Sequence, residues 1–254
     1  MKEKYPVIQG AESFYFEGNE VGILISHGFM GTPQSVRFLG ESLAKHGYTV
    51  YGPRLKGHGT HCRDLEKATS AEWFQSLEEG YKRLKRKCSA IFVMGQSMGG
   101  TLTLHLANKY GDIRGIILIN SALTIPSLEY LRGKSSPRWV PEGKPDIKAK
   151  GVFEITYSQA PLTAIHELQQ LMEATPPLLP NIAIPVLGMK SSVDHVVPPE
   201  NTVFIMKNIG SFKKNAVTLH NSYHVASMDN DKEQIVRHCH QFIQQHVYHK
   251  VYTG

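Results

Sequence analysis

The sequence predicts an α/β fold with a mainly parallel β-sheet that is covered by helices on both faces. Short apolar runs rich in Val and Ile alternate along the chain with longer segments of helical periodicity. This alternation is typical of parallel strands that are joined by helical crossovers. The chain has 254 residues, which suffice for one large domain of this class.

Seven short apolar segments predict strands, and five longer periodic segments predict helices. The strands are expected at residues 13–17, 21–27, 48–51, 90–95, 115–120, 184–190 and 216–220. The helices are expected at residues 34–46, 70–86, 97–109, 200–207 and 232–246.

The alternation stops between residues 121 and 182, which we call the cap segment. A crossover needs only a dozen or more residues, whereas roughly sixty intervene here. The segment begins polar and rich in proline, then becomes helical around residues 155–174. We expect its apolar side chains to be buried: Trp139, Phe153, Leu162, Ile165, Leu168, Leu171 and Met172. The prediction is a small cap inserted into a core of residues 1–120 and 183–254, with a disordered linker as the alternative.

The composition fits a soluble globular protein, with 41% apolar and 20% charged residues. No stretch approaches the ~18 apolar residues of a membrane span, and the first twenty residues hold no apolar run of signal-peptide length. The cysteines Cys62, Cys88 and Cys239 are too few and too scattered for a disulfide framework, so free thiols are expected. Together these features predict a cytoplasmic protein.

The net charge of +6 is concentrated in two basic stretches. Residues 82–87 fall near the end of a predicted helix, where cations oppose the negative end of the helix dipole. The other stretch covers residues 132–150. No nucleic-acid-binding motif accompanies the first cluster, so a nucleic-acid partner is not expected. Transient contact with an anionic lipid surface is left open.

The clearest chemical signal is Gly95-Gln96-Ser97-Met98-Gly99, which lies between a predicted strand and a predicted helix. A nucleophile for acyl transfer must project from a sharp strand-to-helix turn, and the flanking glycines permit that strained backbone. The helix N-terminus also favours the negative charge that develops beside the serine. The pattern predicts Ser97 as the nucleophile, with an incidental serine in a glycine-rich turn as the alternative.

A second motif, His27-Gly28-Phe29-Met30-Gly31, also follows a predicted strand. The tetrahedral intermediate of ester hydrolysis needs two hydrogen-bond donors for its oxyanion. We expect the backbone N–H groups of Phe29 and Met98 to supply them, with a simple turn at residues 27–31 as the alternative.

A histidine base and a carboxylate must complete the site. His224 follows the predicted strand 216–220, and Asp194 follows the predicted strand 184–190, both at the carboxyl edge of the sheet. The order Ser, Asp, His along the chain is the order of hydrolases with this sheet. The weaker candidates are His220, at a strand end, and Asp229 and Asp231, which are expected at a helix start.

The stretch Gly57-His58-Gly59-Thr60-His61-Cys62 raises the question of a metal. Its spacing matches no zinc pattern and lacks a second ligand pair, so we expect a glycine-rich loop and no metal.

Five motifs in order, HGFMGTPQS, PRLKGHGTH, GQSMGGTLTL, SVDHVVPPEN and NSYHVASMD, resemble those of bacterial monoacylglycerol lipases and the related carboxylesterases of bacilli. The resemblance covers about residues 22–242. It implies an α/β-hydrolase fold with a sheet of about eight strands, a small lid, and hydrolysis of short- to medium-chain monoesters without a cofactor. The residues that it assigns are a triad, two oxyanion-hole residues and two polar groups near the alcohol end of the substrate: Ser97, Asp194, His224, Phe29, Met98, Asn120 and Glu154.

The sequence thus predicts a serine ester hydrolase with a small-molecule ester substrate, best matched by a monoacylglycerol. The nearest alternative is a general carboxylesterase of small soluble esters. A peptidase and a non-catalytic binding protein on the same fold are further alternatives. A dehalogenase would need aspartate at position 97 and is excluded by Ser97.

Overall fold

The computed structural model describes residues 3–247. It contains nine strands: β1 (Phe14–Phe16), β2 (Val21–Ser26), β3 (Thr49–Gly52), β4 (Ala90–Gln96), β5 (Gly115–Ile119), β6 (Trp139–Pro141), β7 (Gln159–Pro161), β8 (Val186–Ser191) and β9 (Lys214–Leu219). Seven of them form one sheet in the order β1-β3-β2-β4-β5-β8-β9. Within this sheet β1 pairs antiparallel with β3, and the other neighbours pair parallel. The α/β prediction is confirmed.

The sheet of residues 3–247 has one strand fewer than the eight that the family resemblance implied. Residues 3–13, which precede the edge strand β1, form no strand. Their backbone instead bonds to residues 57–64: Ile8 N donates to Gly59 O, and Lys4 N donates to Asp64 Oδ1. These two backbone N–H groups therefore bond outside the sheet and do not extend its edge.

Seven α-helices accompany the strands: α1 (Gln34–Lys45), α2 (Cys62–Leu65), α3 (Ser70–Lys85), α4 (Met98–Lys109), α5 (Leu162–Glu173), α6 (Glu200–Asn208) and α7 (Lys232–Val247). The short α2 was not expected from the periodicity. The beginning of α3 follows from its sequence, because Thr69 and Glu72 form a capping box that satisfies two free backbone donors.

Buried strands in the middle of the sheet build two hydrophobic cores. Every residue of β2, β4 and β5 is buried, as expected for parallel strands that are covered on both faces. Successive residues point to opposite faces, so Leu24 packs into one core and Ile23 and Ile25 into the other. The first core lies under α3, α4 and α5, and the second lies under α1 and α7.

The cap segment folds into two 3-10 helices (Pro126–Leu131 and Pro176–Asn181), the antiparallel pair β6–β7, and α5. The helix α5 begins after Pro161, which has no N–H to donate, so the helix is shorter than the periodicity suggested. Its apolar face packs against α3 and α4. The expected burial of Phe153 is wrong, because the residue is 75% exposed, and Trp139 is only half-buried.

The basic residues near the end of α3 form ion pairs and ring contacts. Lys82, Lys85 and Lys87 pair with carboxylates, and Arg83 stacks on two tyrosine rings; the partners are Glu78, Asp112, Glu17, Tyr15 and Tyr51. Three of these cations lie in the last turn of the helix, as the sequence predicted. Among residues 3–247, no helix is long and apolar enough to cross a membrane.

Candidate active site

The turn between β4 and α4 holds Ser97 in a strained conformation at the carboxyl edge of the sheet. Ser97 has φ 57° and ψ −123°, a region that residues with a side chain rarely occupy. A Cβ on Gly95 would overlap the backbone of Gly99, and a Cβ on Gly99 would overlap that of Ser26. The two glycines therefore let α4 pack tightly enough to hold the turn.

Ser97, His224 and Asp194 form one hydrogen-bonded chain. His224 Nε2 lies 2.9 Å from Ser97 Oγ, and His224 Nδ1 lies 2.8 Å from Asp194 Oδ2. Asp194 Oδ1 also accepts the N–H groups of Val196 and Val197. With its proton on Nδ1, the imidazole can accept the serine proton at Nε2. The structure thus brings the three predicted residues into the geometry of a nucleophile, a base and an orienting carboxylate.

The loop after β2 lies directly against the serine. A Cβ on Gly28 would lie 3.2 Å from Ser97 Cβ, so glycine allows this approach. His27 Nε2 accepts from Leu55 N, and therefore His27 Nδ1 donates to Gly28 O at 2.9 Å. Burial lowers the pKa of His27 well below its usual value, which keeps the ring neutral. This bond fixes the Gly28–Phe29 peptide, whose N–H is one predicted oxyanion donor.

Met98 is the first residue of α4, where backbone N–H groups have no partner within the helix. Its side chain is fully buried in the core below the sheet edge. The turn therefore presents the start of a helix beside Ser97, which suits a developing negative charge.

The histidines of the 57–62 loop serve the structure. Burial lowers the pKa of His58 to about 4, and its ring packs edge-on against His27 and Trp73. His61 caps α2 by accepting the N–H of Arg63.

A cavity of about 360 Å³ opens above Ser97 and His224, between the loops of the sheet edge and the cap segment. Its wall is largely apolar, with Ile125, Leu128, Val140, Ala160, Ile165 and Val196. The cap segment also contributes three carboxylates, from Glu142, Asp146 and Glu154. The arrangement suits a substrate with an apolar chain and a small polar group.

Glu154 is the most deeply buried of these carboxylates, with 8% of its surface exposed. Its pKa is raised to about 7, chiefly by burial and also by the charge of Glu142, although His224 and a hydrogen bond with Ser35 act in the opposite direction. A Cβ on Gly31 would lie 2.8 Å from Glu154 Oε1, so the last glycine of the second motif makes room for this carboxyl. Near neutral pH Glu154 can therefore donate or accept a hydrogen bond.

We expect Glu154→Gln to remove a pH-dependent loss of stability. Between pH 4.5 and about 7 the unfolded chain releases this proton while the folded chain retains it, so the folded state loses stability as pH rises. As pH rises from 4 to 8, the free energy of unfolding of the variant should increase relative to that of the parent by on the order of 3 kcal/mol. Urea unfolding at both pH values measures this, with the exposed Glu41→Gln as control. Parallel pH dependences of parent and variant would contradict the assignment.

The structure does not bring Asn120 to the cavity. Asn120 has φ 44°, and its Nδ2 donates to Ser191 Oγ and His224 O while its Oδ1 accepts from Ser191 N. Its amide thus joins the end of β8 to the loop of His224. The role near the substrate that the resemblance implied for Asn120 stays a prediction.

Two further aspartates, which the sequence did not single out for these contacts, connect the cap segment with the loop of His224. Asp146 accepts the N–H of His224, and Asp229 accepts those of Lys148 and Tyr223. The predicted helix start just after Asp229 and Asp231 is observed, because α7 begins at Lys232. No local signal reveals these contacts, because they join segments that are distant in sequence.

The fold and the Ser–His–Asp geometry define a serine hydrolase of the α/β-hydrolase class. A family model described as "Serine aminopeptidase, S33" matches residues 19–231. The chain is 47% identical to a thermostable monoacylglycerol lipase of Bacillus sp. strain H-257, over 97% of this chain and 99% of the relative. It is 25% identical to a carboxylesterase of Bacillus subtilis strain 168, over 91% of this chain and 95% of the relative. The chain therefore belongs to this serine hydrolase family.

Solved structures agree with the fold. A structure reported for metagenome-derived lipolytic enzymes superposes with a TM-score of 0.92 at 42% identity, covering 95% of this chain and all of the other. A soluble variant of the monoglyceride lipase of Saccharomyces cerevisiae, in complex with a substrate analog, gives a TM-score of 0.80 at 19% identity. The superposition covers 96% of this chain and 94% of the other. At this identity the similarity supports the fold alone.

Proposed function

We propose that this protein is a serine carboxylic ester hydrolase that cleaves short- to medium-chain monoacylglycerols into fatty acid and glycerol through an acyl-enzyme. The observation that carries the proposal is the Ser97–His224–Asp194 chain at the floor of an apolar cavity with a buried carboxyl. The 47% identity to a monoacylglycerol lipase over nearly the whole chain supports the same substrate class.

In the first half-reaction, Ser97 Oγ attacks the ester carbonyl carbon while His224 Nε2 takes the serine proton. The oxyanion accepts hydrogen bonds from the N–H groups of Phe29 and Met98. The C–O bond to the alcohol then breaks, and the imidazolium returns its proton to the leaving oxygen. Asp194 stabilises the imidazolium throughout, because it is buried and 2.8 Å from Nδ1.

In the second half-reaction, water attacks the acyl-enzyme. His224 takes a proton from the water, and the new oxyanion occupies the same donors. Collapse of this intermediate releases the fatty acid and returns the proton to Ser97 Oγ. The reaction needs no cofactor, because the protein supplies the nucleophile, the base and the donors.

Glu154 is proposed to hydrogen-bond the hydroxyl groups of the glycerol. The apolar wall would then hold the acyl chain, while a site fitted to glycerol leaves little room for two further chains. A substrate without those hydroxyls leaves the buried carboxyl unpaired, which costs about 1–3 kcal/mol.

We expect monoacylglycerols to be hydrolysed much faster than triacylglycerols. We also expect Glu154→Ala to lower kcat/KM for a monoacylglycerol by about 10- to 100-fold, and to slow p-nitrophenyl ester cleavage less. The assay compares kcat/KM for a monoacylglycerol, a triacylglycerol, a p-nitrophenyl ester and an aminoacyl p-nitroanilide. Glu41→Ala is the control variant.

A better rate on long-chain triacylglycerols would refute the glycerol site. An equal loss on both esters would favour a general carboxylesterase, as in the Bacillus subtilis relative. Preferred cleavage of the anilide would favour the peptidase activity in the description of the family model.

We place the enzyme in the cytoplasm, where it meets its substrate by transient contact with lipid. The exposed Phe153 and Tyr130 and the exposed Lys144 and Lys150 of the cap segment suit an anionic lipid surface. Co-sedimentation with anionic and with neutral vesicles tests this contact, and equal recovery with both would contradict a role for the lysines.

A further inference from the structure

We propose that Asp146 is a positioning residue that holds the acid loop and the base loop of the triad in register. The inference rests on the proposed function, because it assumes that Asp194 and His224 act as acid and base. Asp146 belongs to the cap segment, between β6 and β7, and it also lines the cavity.

One carboxylate oxygen of Asp146 accepts hydrogen bonds from the acid loop and from the base loop. Its Oδ2 accepts the N–H of His195 and the N–H of His224, each at 3.1 Å. Its Oδ1 lies 2.8 Å from His195 Nδ1. His195 directly follows Asp194, so one side chain bonds to the backbone of the base and to that of the residue beside the acid.

The backbone of Asp146 adds a third contact to the base loop, because its carbonyl oxygen accepts the N–H of Val225 at 3.1 Å. Two successive peptide groups of that loop, at His224 and Val225, are thus fixed by one residue. The contact to the base loop is largely shielded from water, since the Asp146 side chain is 16% exposed and His224 is 7% exposed. The contacts to His195 are more open to solvent, because the His195 side chain is 58% exposed.

The consequence concerns proton transfer. The imidazole must lie within hydrogen-bond reach of both Ser97 Oγ and Asp194 Oδ2, and it does so at 2.9 and 2.8 Å. A shift of about 1 Å in such a geometry can cost about 100-fold in rate. Asp146 restricts this shift from the cap side, so the segment that lines the substrate cavity also aligns the catalytic loops.

Three variants separate positioning from charge. Asp146→Asn keeps an oxygen for both N–H groups, and its amide can donate to His195 Nδ1 in the tautomer with the ring proton on Nε2, so the hydrogen bonds persist without the charge. Asp146→Glu keeps the charge but moves the carboxylate by one methylene. Asp146→Ala removes the side-chain contacts and leaves only the carbonyl bond to Val225.

We expect Asp146→Ala to lower kcat for a p-nitrophenyl ester by about 10- to 100-fold with KM within about threefold. Labelling of Ser97 by a small fluorophosphonate should slow by the same factor, because it needs the aligned base but no glycerol contact. Asp146→Asn should stay within about threefold of the parent in both assays, and Asp146→Glu should lose at least about tenfold. Thermal unfolding of each variant shows whether it folds. If the alanine variant does not fold, the comparison of activity between Asp146→Asn and Asp146→Glu still separates positioning from charge.

Glu retaining more activity than Asn would overturn the proposal in favour of a charge effect. A raised KM with unchanged kcat in Asp146→Ala would overturn it in favour of substrate binding. Ser97→Ala, assayed in parallel, tests the proposed triad separately from the function of Asp146. Near-parental turnover of Ser97→Ala would refute the triad, whereas an inactive Ser97→Ala with equal activities of Asp146→Asn and Asp146→Glu would refute only the function of Asp146.

Discussion

Replacing Ser97 with alanine is expected to abolish ester turnover, with a loss of about a million-fold in kcat. The change deletes the oxygen that attacks the ester carbonyl and leaves His224 Nε2 without its partner at 2.9 Å. The fold should persist, because the turn is held by backbone contacts such as the bond from Ser97 N to Ile119 O. Turnover of a monoacylglycerol and of a p-nitrophenyl ester, together with the thermal unfolding midpoint, measures both effects.

Ser127→Ala is a matched control, since Ser127 also lines the cavity but is exposed on the cap segment. It should keep near-parental turnover and remain labelled once by a fluorophosphonate. Stoichiometric labelling of a residue other than Ser97 in the parent protein would show that the nucleophile lies elsewhere.

The parts of the site that sequence predicts well are those that depend on local geometry. The nucleophile turn requires a strand, two glycines and a helix within a few residues, and each leaves its own pattern in the sequence. The acid and the base follow from topology, because residues after parallel strands meet at one edge of the sheet. The sequence alone therefore predicts that Ser97, Asp194 and His224 lie close together.

Contacts between distant segments could not be predicted in this way. Asp146 is 49 residues from His195 and 78 from His224, and its own neighbourhood of proline, lysine and glycine carries no periodic signal. The contacts of Asn120 were likewise not predicted: its amide donates to Ser191 Oγ and to His224 O. Which partner a buried polar group finds depends on packing, and the sequence does not state that.

The cap segment shows the same limit. Its aliphatic helix residues are buried as periodicity predicts, but Phe153 is exposed, whereas its neighbour Glu154 is buried at the cavity. The raised pKa of Glu154 likewise comes from burial under segments far away in sequence. A carboxyl at this position has no local feature that would reveal a pKa of about 7.

Asp194→Asn is expected to lower kcat by about ten-thousand-fold while the loop keeps its structure. Asp194 Oδ1 accepts the N–H groups of Val196 and Val197, at 2.9 and 2.8 Å, so only an oxygen fits that position. The asparagine amide NH₂ must then occupy the other position, facing His224 Nδ1. Because NH₂ donates, Nδ1 must accept, and the imidazole proton moves to Nε2, where it blocks proton transfer from Ser97.

Asp229→Asn is the control for this prediction, since Asp229 bonds backbone N–H groups around the same loop without touching the imidazole. We expect it to reduce stability more than kcat, because it loosens the contact between the loop and the cap segment. The protonation of His224 in both variants can be read from its ring nitrogen chemical shifts by NMR. A proton that stays on Nδ1 in Asp194→Asn, or a larger loss of kcat in Asp229→Asn, would contradict the assignment of Asp194. In that case the tautomer of His224 would not be the reason why position 194 needs a carboxylate.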